Sequence, residues 1–382
     1  MNVDKLPVRF INMNYRKLPK GNELINPLGI GLGAIQVLQE DEIEKIINKA
    51  IDSGINFFDL CGGGSNVYRP FGKAIKNRRD KVYFELHFGA VYDENGDYGF
   101  SRDLNKIKDT FAWEMQMLQT DYVDFGFLHC IDEEEDLNEV INNGILDYVI
   151  ELKNKNIIRH LGFSSHTPKI CNKLLDMKIF DLFLFSINPA YDYEVGDEYG
   201  IGGVNERTLL LERAKEENVA ISVMKPFFGG KLLSDEHSPF KESLTRIQCL
   251  QYALDRPGVI VVVPGIQSEA HLDDILKYNN ATKEELDYSK IYKLASNKIS
   301  KICVYCNHCH PCPKGINIAL VNKYYDLALQ GDEMAKNHYY KLDKNASDCI
   351  ACGHCDKRCP FKVEQSKKMI KINEYFEKKI QK

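Results

Sequence analysis

Between residues 28 and 264 the chain repeats one pattern: a short, almost wholly apolar run, then a longer stretch with apolar positions three or four residues apart. The apolar runs are Leu28 to Gly33, Ile55 to Asp59, Val82 to His87, Tyr122 to His129, His160 to Phe163, Leu182 to Ile187, Val219 to Met224 and Val259 to Pro264. Short runs without polar alternation read as strands buried on both faces. The stretches between them, such as Glu40 to Ser53 and Leu209 to Glu217, read as amphipathic helices. Repeated strand and helix alternation of this length predicts a parallel sheet closed as a (β/α)8 TIM barrel. A doubly wound open sheet is the alternative, but no G-x-G-x-x-G follows the first strand to open a helix on a dinucleotide. Val8 to Leu18 suggests a small hairpin ahead of the barrel, and residues 281 to 300 a helical linker behind it. The expected division is a barrel over 1–285 and, over 286–382, a linker helix with a small α-rich domain.

In a barrel of this kind, chemistry gathers where strands finish. Asp59, His87 and His129 end three successive runs. Side chains two residues apart share a face, so Phe57, Glu85 and Phe127 are expected one layer below. Glu85 is then a carboxylate inside the barrel and needs a partner, with His87 or a donor on a neighbouring strand as the candidate.

The last quarter of the chain carries a different signal. Cys303, Cys306, Cys309 and Cys312 precede Pro313, and Cys349, Cys352, Cys355 and Cys359 precede Pro360, which accounts for eight of the twelve cysteines. The second run has the C-x2-C-x2-C-x3-C-P spacing that holds a [4Fe–4S] cluster, and the first differs only in its last interval. In two-cluster ferredoxins the fourth cysteine of each run reaches the other cluster, which groups Cys303, Cys306 and Cys309 with Cys359, and Cys349, Cys352 and Cys355 with Cys312. Disulfides suit a small secreted domain behind a signal peptide, whereas Met1 to Leu18 has charges throughout and no apolar core. Zinc ribbons need four thiolates, not two runs of four closed by proline.

Composition adds exclusions. The 382 residues are 44% hydrophobic and 27% charged with a net charge of −5, an ordinary globular balance without the basic footprint of a nucleic-acid binder. No apolar run approaches the roughly 18 residues of a membrane span, so a cytoplasmic protein is expected. Lys367, Lys368, Lys371, Lys378 and Lys379, interleaved with Met369, Ile370, Ile372 and Tyr375, read as the solvated face of a terminal helix.

Several segments together resemble the aldo/keto reductases, in the branch with a C-terminal ferredoxin-like extension: LGIGLGA at 28–34, GINFFD at 54–59, DYVDFGFLH at 121–129, HLGFSSH at 160–166, VMKPFFGGKL at 223–232 and VPGIQSEAHLDD at 263–274. The resemblance implies a barrel that binds a nicotinamide cofactor across its C-terminal face and delivers hydride to a carbonyl. It also implies a catalytic Asp, Tyr, Lys and His. Asp59 and His129 match, His87 stands at the lysine position, and the tyrosine expected about five residues after Asp59 is replaced by Cys61, Gly62, Gly63, Gly64 and Ser65. Tyr68 is the nearest substitute for that acid, and histidine, with an ordinary pKa of about 6.5, is another. Ser164, Ser165 and Asn188 fall at the nicotinamide carboxamide, Tyr191 at the stacking position, and Lys225 to Lys231 with Gly229 and Gly230 at the pyrophosphate. Around Gly265, Gln267, His271 and Asp274 no Arg or Lys is at hand for a 2′-phosphate and Ile275 replaces the usual Asn, which leaves NADPH, NADH or no nicotinamide open.

Three functions remain in view. The first is an oxidoreductase for a small carbonyl or alcohol, its clusters exchanging single electrons with a ferredoxin or flavoprotein. The second is a nicotinamide-independent lyase or dehydratase with His87 and His129 as the acid/base pair, and the third a non-catalytic electron carrier. Asp59, His87 and His129 also form a 2-His-1-carboxylate set of the kind that binds a divalent metal. Cys61, Cys130, Cys171 and Cys249 read as small buried residues, Cys61 having the further reading of a nucleophile or extra ligand. Gly62 to Gly64 reads as a tight loop or an anion-binding turn, and the acidic run Asp132 to Asp136 as a solvated loop or a helix start.

Overall fold

The apolar runs become staves because continuous Val, Ile, Leu and Phe segments are stable only when both faces are covered. In the computed structural model, which describes residues 15–61, 63–193, 200–295, 303, 309–329, 333–359 and 362–380, the strands are β1 Arg16–Lys17, β2 Leu24–Ile25, β3 Ile30–Gly31, β4 Phe57–Asp59, β5 Tyr83–Phe88, β6 Ala90–Tyr92, β7 Tyr98–Phe100, β8 Val123–Leu128, β9 Ile158–Ser165, β10 Leu182–Ser186, β11 Ala220–Met224 and β12 Val259–Val262. Eight run parallel in the order β3-β4-β5-β8-β9-β10-β11-β12. Backbone bonds from Gly29 N to Val262 O (2.8 Å) and Gly31 N to Pro264 O (3.0 Å) bring the last strand back to the first, giving the TIM barrel. Helices follow the strands as the periodicity requires: Glu40–Asp52 has an acidic first turn and buries Ile43, Ile46, Ile47 and Ala50, and Leu104–Leu118 starts where the Asp103 carboxylate accepts from two backbone N–H groups.

Phe57, Phe125 and Phe127 fill the barrel, the first two rings 5.4 Å apart. Each fully buried ring contributes about 1.5–3 kcal/mol of transfer free energy. Gly162 is required beside them, since a Cβ there meets the Phe127 ring. At the N-terminal end of the barrel His160 bridges Glu23 (3.2 Å) and Asp181 (3.1 Å), with Lys153 also on Asp181 at 3.0 Å.

Two hairpins depart from the sequence expectation. The N-terminal one pairs Arg16 with Ile25 and Lys17 with Leu24, so its first strand lies within Val8 to Leu18 and its second beyond it, while residues 8–14 are outside the described residues. The other, β6–β7, is an unpredicted antiparallel excursion directly after β5. It turns at Asp93 to Asp97, where the Asp93 carboxylate accepts from Asn95 N and Asp97 N and Gly96 takes φ +83°. Ser65 N donates to Gly96 O at 2.8 Å, which fastens the hairpin tip to the loop after β4.

The chain divides into two compact units, the second comprising Arg207–Leu209 and the residues from Ser289 on. Its C-terminal part is helical: Lys290–Ala295, Ile318–Leu329, Glu333–Tyr340, His354–Arg358 and Gln365–Ile380. Ile316, Val321, Met369, Ile372 and Phe376 form its core, and Tyr339 stacks on Phe376 at 3.6 Å. In the last helix Ile370 is exposed and Lys368 pairs with Asp326. Among the described residues no helix is long and apolar enough to cross a membrane.

Candidate active site

β4, β5 and β8 finish side by side, and that adjacency assembles the site. Asp59 closes β4, His87 lies near the end of β5, and His129 follows β8; all three are buried. His87 Nε2 lies 3.2 Å from Asp59 Oδ1 in an alignment too bent for a hydrogen bond. The opposite ring nitrogen, His87 Nδ1, is 3.1 Å from His129 Nδ1, and Cys61 Sγ approaches the same His129 atom at 3.5 Å. His129 Nε2 is 2.6 Å from the hydroxyl of Tyr98, delivered by the β6–β7 hairpin. A continuous polar line therefore runs from Asp59 through His87 and His129 to Tyr98, which is 39% exposed and so faces the mouth.

Arg102, just past the hairpin, fixes the His129 backbone. Its guanidinium donates to His129 O at 2.7 Å and clasps both oxygens of Asp136 at 2.5 and 2.6 Å. Burial, followed by the charges of His87, Arg102 and His166, holds the His129 pKa well below its ordinary value. Burial, with Cys61 next, raises that of Tyr98, so the phenol stays protonated. Burial and then Asp59 push the Cys61 thiol well up, against a free thiolate nucleophile.

Glu85 is fully buried and, among the described residues, neither of its oxygens has a hydrogen-bond partner. His87, the expected partner, turns its Nε2 to Asp59 instead. Glu85 pairs in strand register with Asp59, and burial followed by Asp59 raises its pKa far above the carboxylate range, leaving a neutral acid.

Tyr68 does not join the site. It sits at the start of the helix Tyr68–Ile75, fully buried, and its hydroxyl donates to Glu114 Oε1 (2.8 Å) while touching Tyr92 Oη (2.8 Å) and Leu60 O (3.0 Å). The shortened loop is packed rather than open: Gly63 has φ +70°, and a Cβ on it meets Gln36 and Gly33 O, while Gly62 lies outside the described residues.

The acidic run opens the helix Glu134–Asn142, as one of its two readings expects, but Asp132 ahead of that helix is not solvated. Asp132 accepts from His166 N (2.5 Å) and Ser165 Oγ (3.1 Å) and pairs with His166 Nδ1 (2.8 Å), with Cys130 Sγ 3.5 Å from its carboxylate. Cys61 and Cys130 are thus half-buried at the mouth, whereas Cys171 and Cys249 are core residues.

Ser164, Ser165, Asn188 and Tyr191, expected at the nicotinamide, are engaged within the chain. Ser164 Oγ accepts from Cys130 N at 2.7 Å; the Asn188 amide donates to Lys225 O and accepts from Tyr191 N, both at 2.9 Å; Tyr191 packs edge-on to Phe228. Gly229 and Gly230 adopt φ +61° and +87° with open space where a Cβ would project. Gly265 lies at the barrel closure beside Gly31, and Gln267 N reaches His271 Nδ1 at 3.4 Å. Asp274 binds Lys277 at 2.7 Å and lies 3.8 Å from Arg246, a guanidinium from a distant segment that also stacks on Phe227. A cation is therefore available at this end, contrary to the reading from neighbours in sequence.

In the C-terminal unit, Cys312, Cys349, Cys352 and Cys355 line one cleft. Cys303 and Cys309 are buried and Cys359 half-buried, and Gln365 Nε2 and Val363 N lie 3.5 and 3.4 Å from Cys303 Sγ and Cys359 Sγ. Cys306 is outside the described residues.

The fold has counterparts among known proteins, and the profile of the "Aldo/keto reductase family" matches residues 27–246. The chain belongs to the aldo/keto reductase family. It is 27% identical over 300 residues, 72% of this chain and 94% of the other, to the Bacillus subtilis "Uncharacterized oxidoreductase YqkF". It is 28% identical over 224 residues to "L-galactose dehydrogenase" of Arabidopsis thaliana, covering 56% of this chain and 63% of that one. Among solved structures, the holo form of the aldo-keto reductase AKR11C1 from Bacillus halodurans superposes with a TM-score of 0.58 at 24% identity, over 74% of this chain and 96% of that one. An aldo/keto reductase from Klebsiella pneumoniae in complex with NADP and acetate gives 0.51 at 17%, over 72% and 93%. The chain is thus an aldo/keto reductase-like oxidoreductase, and its barrel carries Tyr98 on the hairpin after the third barrel strand.

Proposed function

We propose that the protein is a nicotinamide-linked oxidoreductase for a small carbonyl or alcohol, with Tyr98 as the proton donor that the loop after Asp59 lacks. The observation that carries this reading is the 2.6 Å contact between the Tyr98 hydroxyl and His129 Nε2 at the half-open mouth. With Nε2 of His129 carrying its proton toward the phenol oxygen, Tyr98 is free to donate outward to a carbonyl oxygen. Hydride attack builds alkoxide charge there, and a phenol held protonated by burial yields its proton only as that charge develops. His87 and Asp59 hold His129 from behind.

Arg246 beside Asp274 supports NADPH as the donor, through a charge-assisted contact to its 2′-phosphate. Anaerobic fluorescence titration tests this: saturable binding of NADPH, weakened about tenfold in Arg246→Ala with NADH unaffected, is expected, a change of about 1.4 kcal/mol. Failure of both nucleotides to bind sinks the reductase. The internal engagement of Ser164, Ser165 and Asn188 then favours the second reading, a nicotinamide-independent lyase or dehydratase acting through His87 and His129.

The C-terminal cysteines fit two [4Fe–4S] clusters. Cys312 lining one cleft with Cys349, Cys352 and Cys355 supports the crossed ligand sets, and the amides of Gln365 and Val363 beside Cys303 and Cys359 suit thiolate sulfur. Such clusters supply one-electron transfer, which suits a ferredoxin or flavoprotein partner, or they clamp the C-terminal unit.

A further inference from the structure

Three donors of different origin converge at one point of the mouth. Cys61 comes from the loop after β4, His87 from β5 and His129 from the end of β8, and one ligand atom of each lies within 4.8 Å of the others. His129 Nδ1 stands 3.1 Å from His87 Nδ1 and 3.5 Å from Cys61 Sγ. Tetrahedral zinc, with Zn–N of about 2.0–2.1 Å and Zn–S of about 2.3 Å, separates two nitrogens by roughly 3.3 Å and a nitrogen from a sulfur by roughly 3.5 Å. The two pairs that share His129 Nδ1 already have that spacing, and the third lies within 4.8 Å.

A hydrogen bond explains less. An imidazole Nδ1 has either one proton or one lone pair, yet this one is approached by a second imidazole nitrogen and a thiol at once. The outward ring atom of His129 is also disposed as a metal-bound imidazole requires. His129 Nε2 faces Tyr98 Oη at 2.6 Å, an oxygen that holds its Nε2–H tautomer, and His87 Nε2 has Asp59 Oδ1 beside it at 3.2 Å, off the line of a hydrogen bond. Asp59 therefore belongs to the surrounding ring of partners, not to the ligand set, and Cys61 replaces it as third donor.

We propose that Cys61, His87 and His129 hold a thiophilic divalent cation of the zinc type, with a fourth position left for a water or substrate oxygen. On binding, the Cys61 S–H proton leaves to solvent and the sulfur–metal bond takes its place, while both Nδ1 atoms donate their lone pairs. The ion sets a permanent positive charge beside His87, where the family resemblance leads one to expect lysine. The site stands on donor geometry alone and holds whether or not the barrel reduces a carbonyl.

The test uses full-length, anaerobically prepared protein with its C-terminal cysteines intact. Elemental analysis is expected to find about one more equivalent of zinc in the wild type than in Cys61→Ala. Cobalt substitution is expected to give the wild type a thiolate-to-cobalt charge-transfer band that Cys61→Ala lacks and Cys130→Ala, altered at the neighbouring thiol, retains. Cys61→Ser, which keeps the side-chain volume, should lose the band as well, so a folding failure of one variant leaves the other to decide. Equal zinc content and identical cobalt spectra in the wild type and both Cys61 variants would overturn the proposal.

Discussion

His129 and His160 belong to neighbouring staves of the same barrel, yet their environments shift them in opposite directions. At the N-terminal end, burial alone would lower His160, but Asp181 and Glu23 outweigh it and raise its pKa to about 9. At the C-terminal end, burial of His129 is reinforced by the charges of His87, Arg102 and His166, and its pKa falls. One end has charges that satisfy one another, as a stabilising clasp does. The other keeps Glu85 without a hydrogen-bond partner among the described residues, a bent Asp59–His87 contact and a thiol against an imidazole, arrangements that cost stability and are retained where a ligand or reaction completes them.

Exchanging the two ends experimentally breaks or sharpens this contrast. The largest effect is expected from His129→Ala, which should lower turnover about 10²–10⁴-fold, the usual worth of a positioned proton-transfer system, while leaving thermal stability nearly unchanged. His160→Ala should do the reverse, costing on the order of 2 kcal/mol by leaving Glu23 and Asp181 without their shared partner, with turnover close to wild type in a combined melt and activity assay.

The pH dependence of that stabilisation has a definite sign. His160 is near 9 when folded and about 6.5 when unfolded, so its contribution is fully present below about pH 6.5 and fades as pH rises toward 9. Glu23, held at about 2 chiefly by its hydrogen bond to His160, adds a contribution present above about pH 4.5 and lost as pH falls toward 2. The stability gap between wild type and His160→Ala, measured by chemical denaturation, should therefore be widest near pH 5–6 and shrink in both directions. A pH-independent gap would mean that packing, not charge, holds the clasp.

The smallest change is expected at Glu85. A buried neutral acid without a partner gains nothing from its polarity, so Glu85→Leu should be neutral or stabilising by about 1 kcal/mol in the same assay. A loss of several kcal/mol would show that the carboxyl has a partner in solution.

The barrel is legible in the chain because eight apolar runs and their intervening helices state one period each, and strand ends then point to Asp59, His87 and His129. Tyr98 escapes that reading because β6–β7 is short and lies where a connecting loop is expected. Asn95-Gly96 between Val91-Tyr92 and Tyr98 is nonetheless a hairpin signal. Tyr68 is favoured by closeness to Asp59 along the chain, but the phase of its helix turns the hydroxyl to Glu114. Asp132 and Asp136 carry no local sign of burial, since His166 and Arg102, which hold them, come from 34 residues away. Arg246 is likewise recruited from a distant segment.

The central claim is that proton donation has passed to Tyr98. Anaerobic single-turnover oxidation of bound NADPH by a small aldehyde, compared between wild type and Tyr98→Phe, addresses it most directly. The account predicts unchanged NADPH binding with a hydride-transfer rate about 10²–10⁴-fold lower in the variant. Equal rates in the two proteins would contradict it.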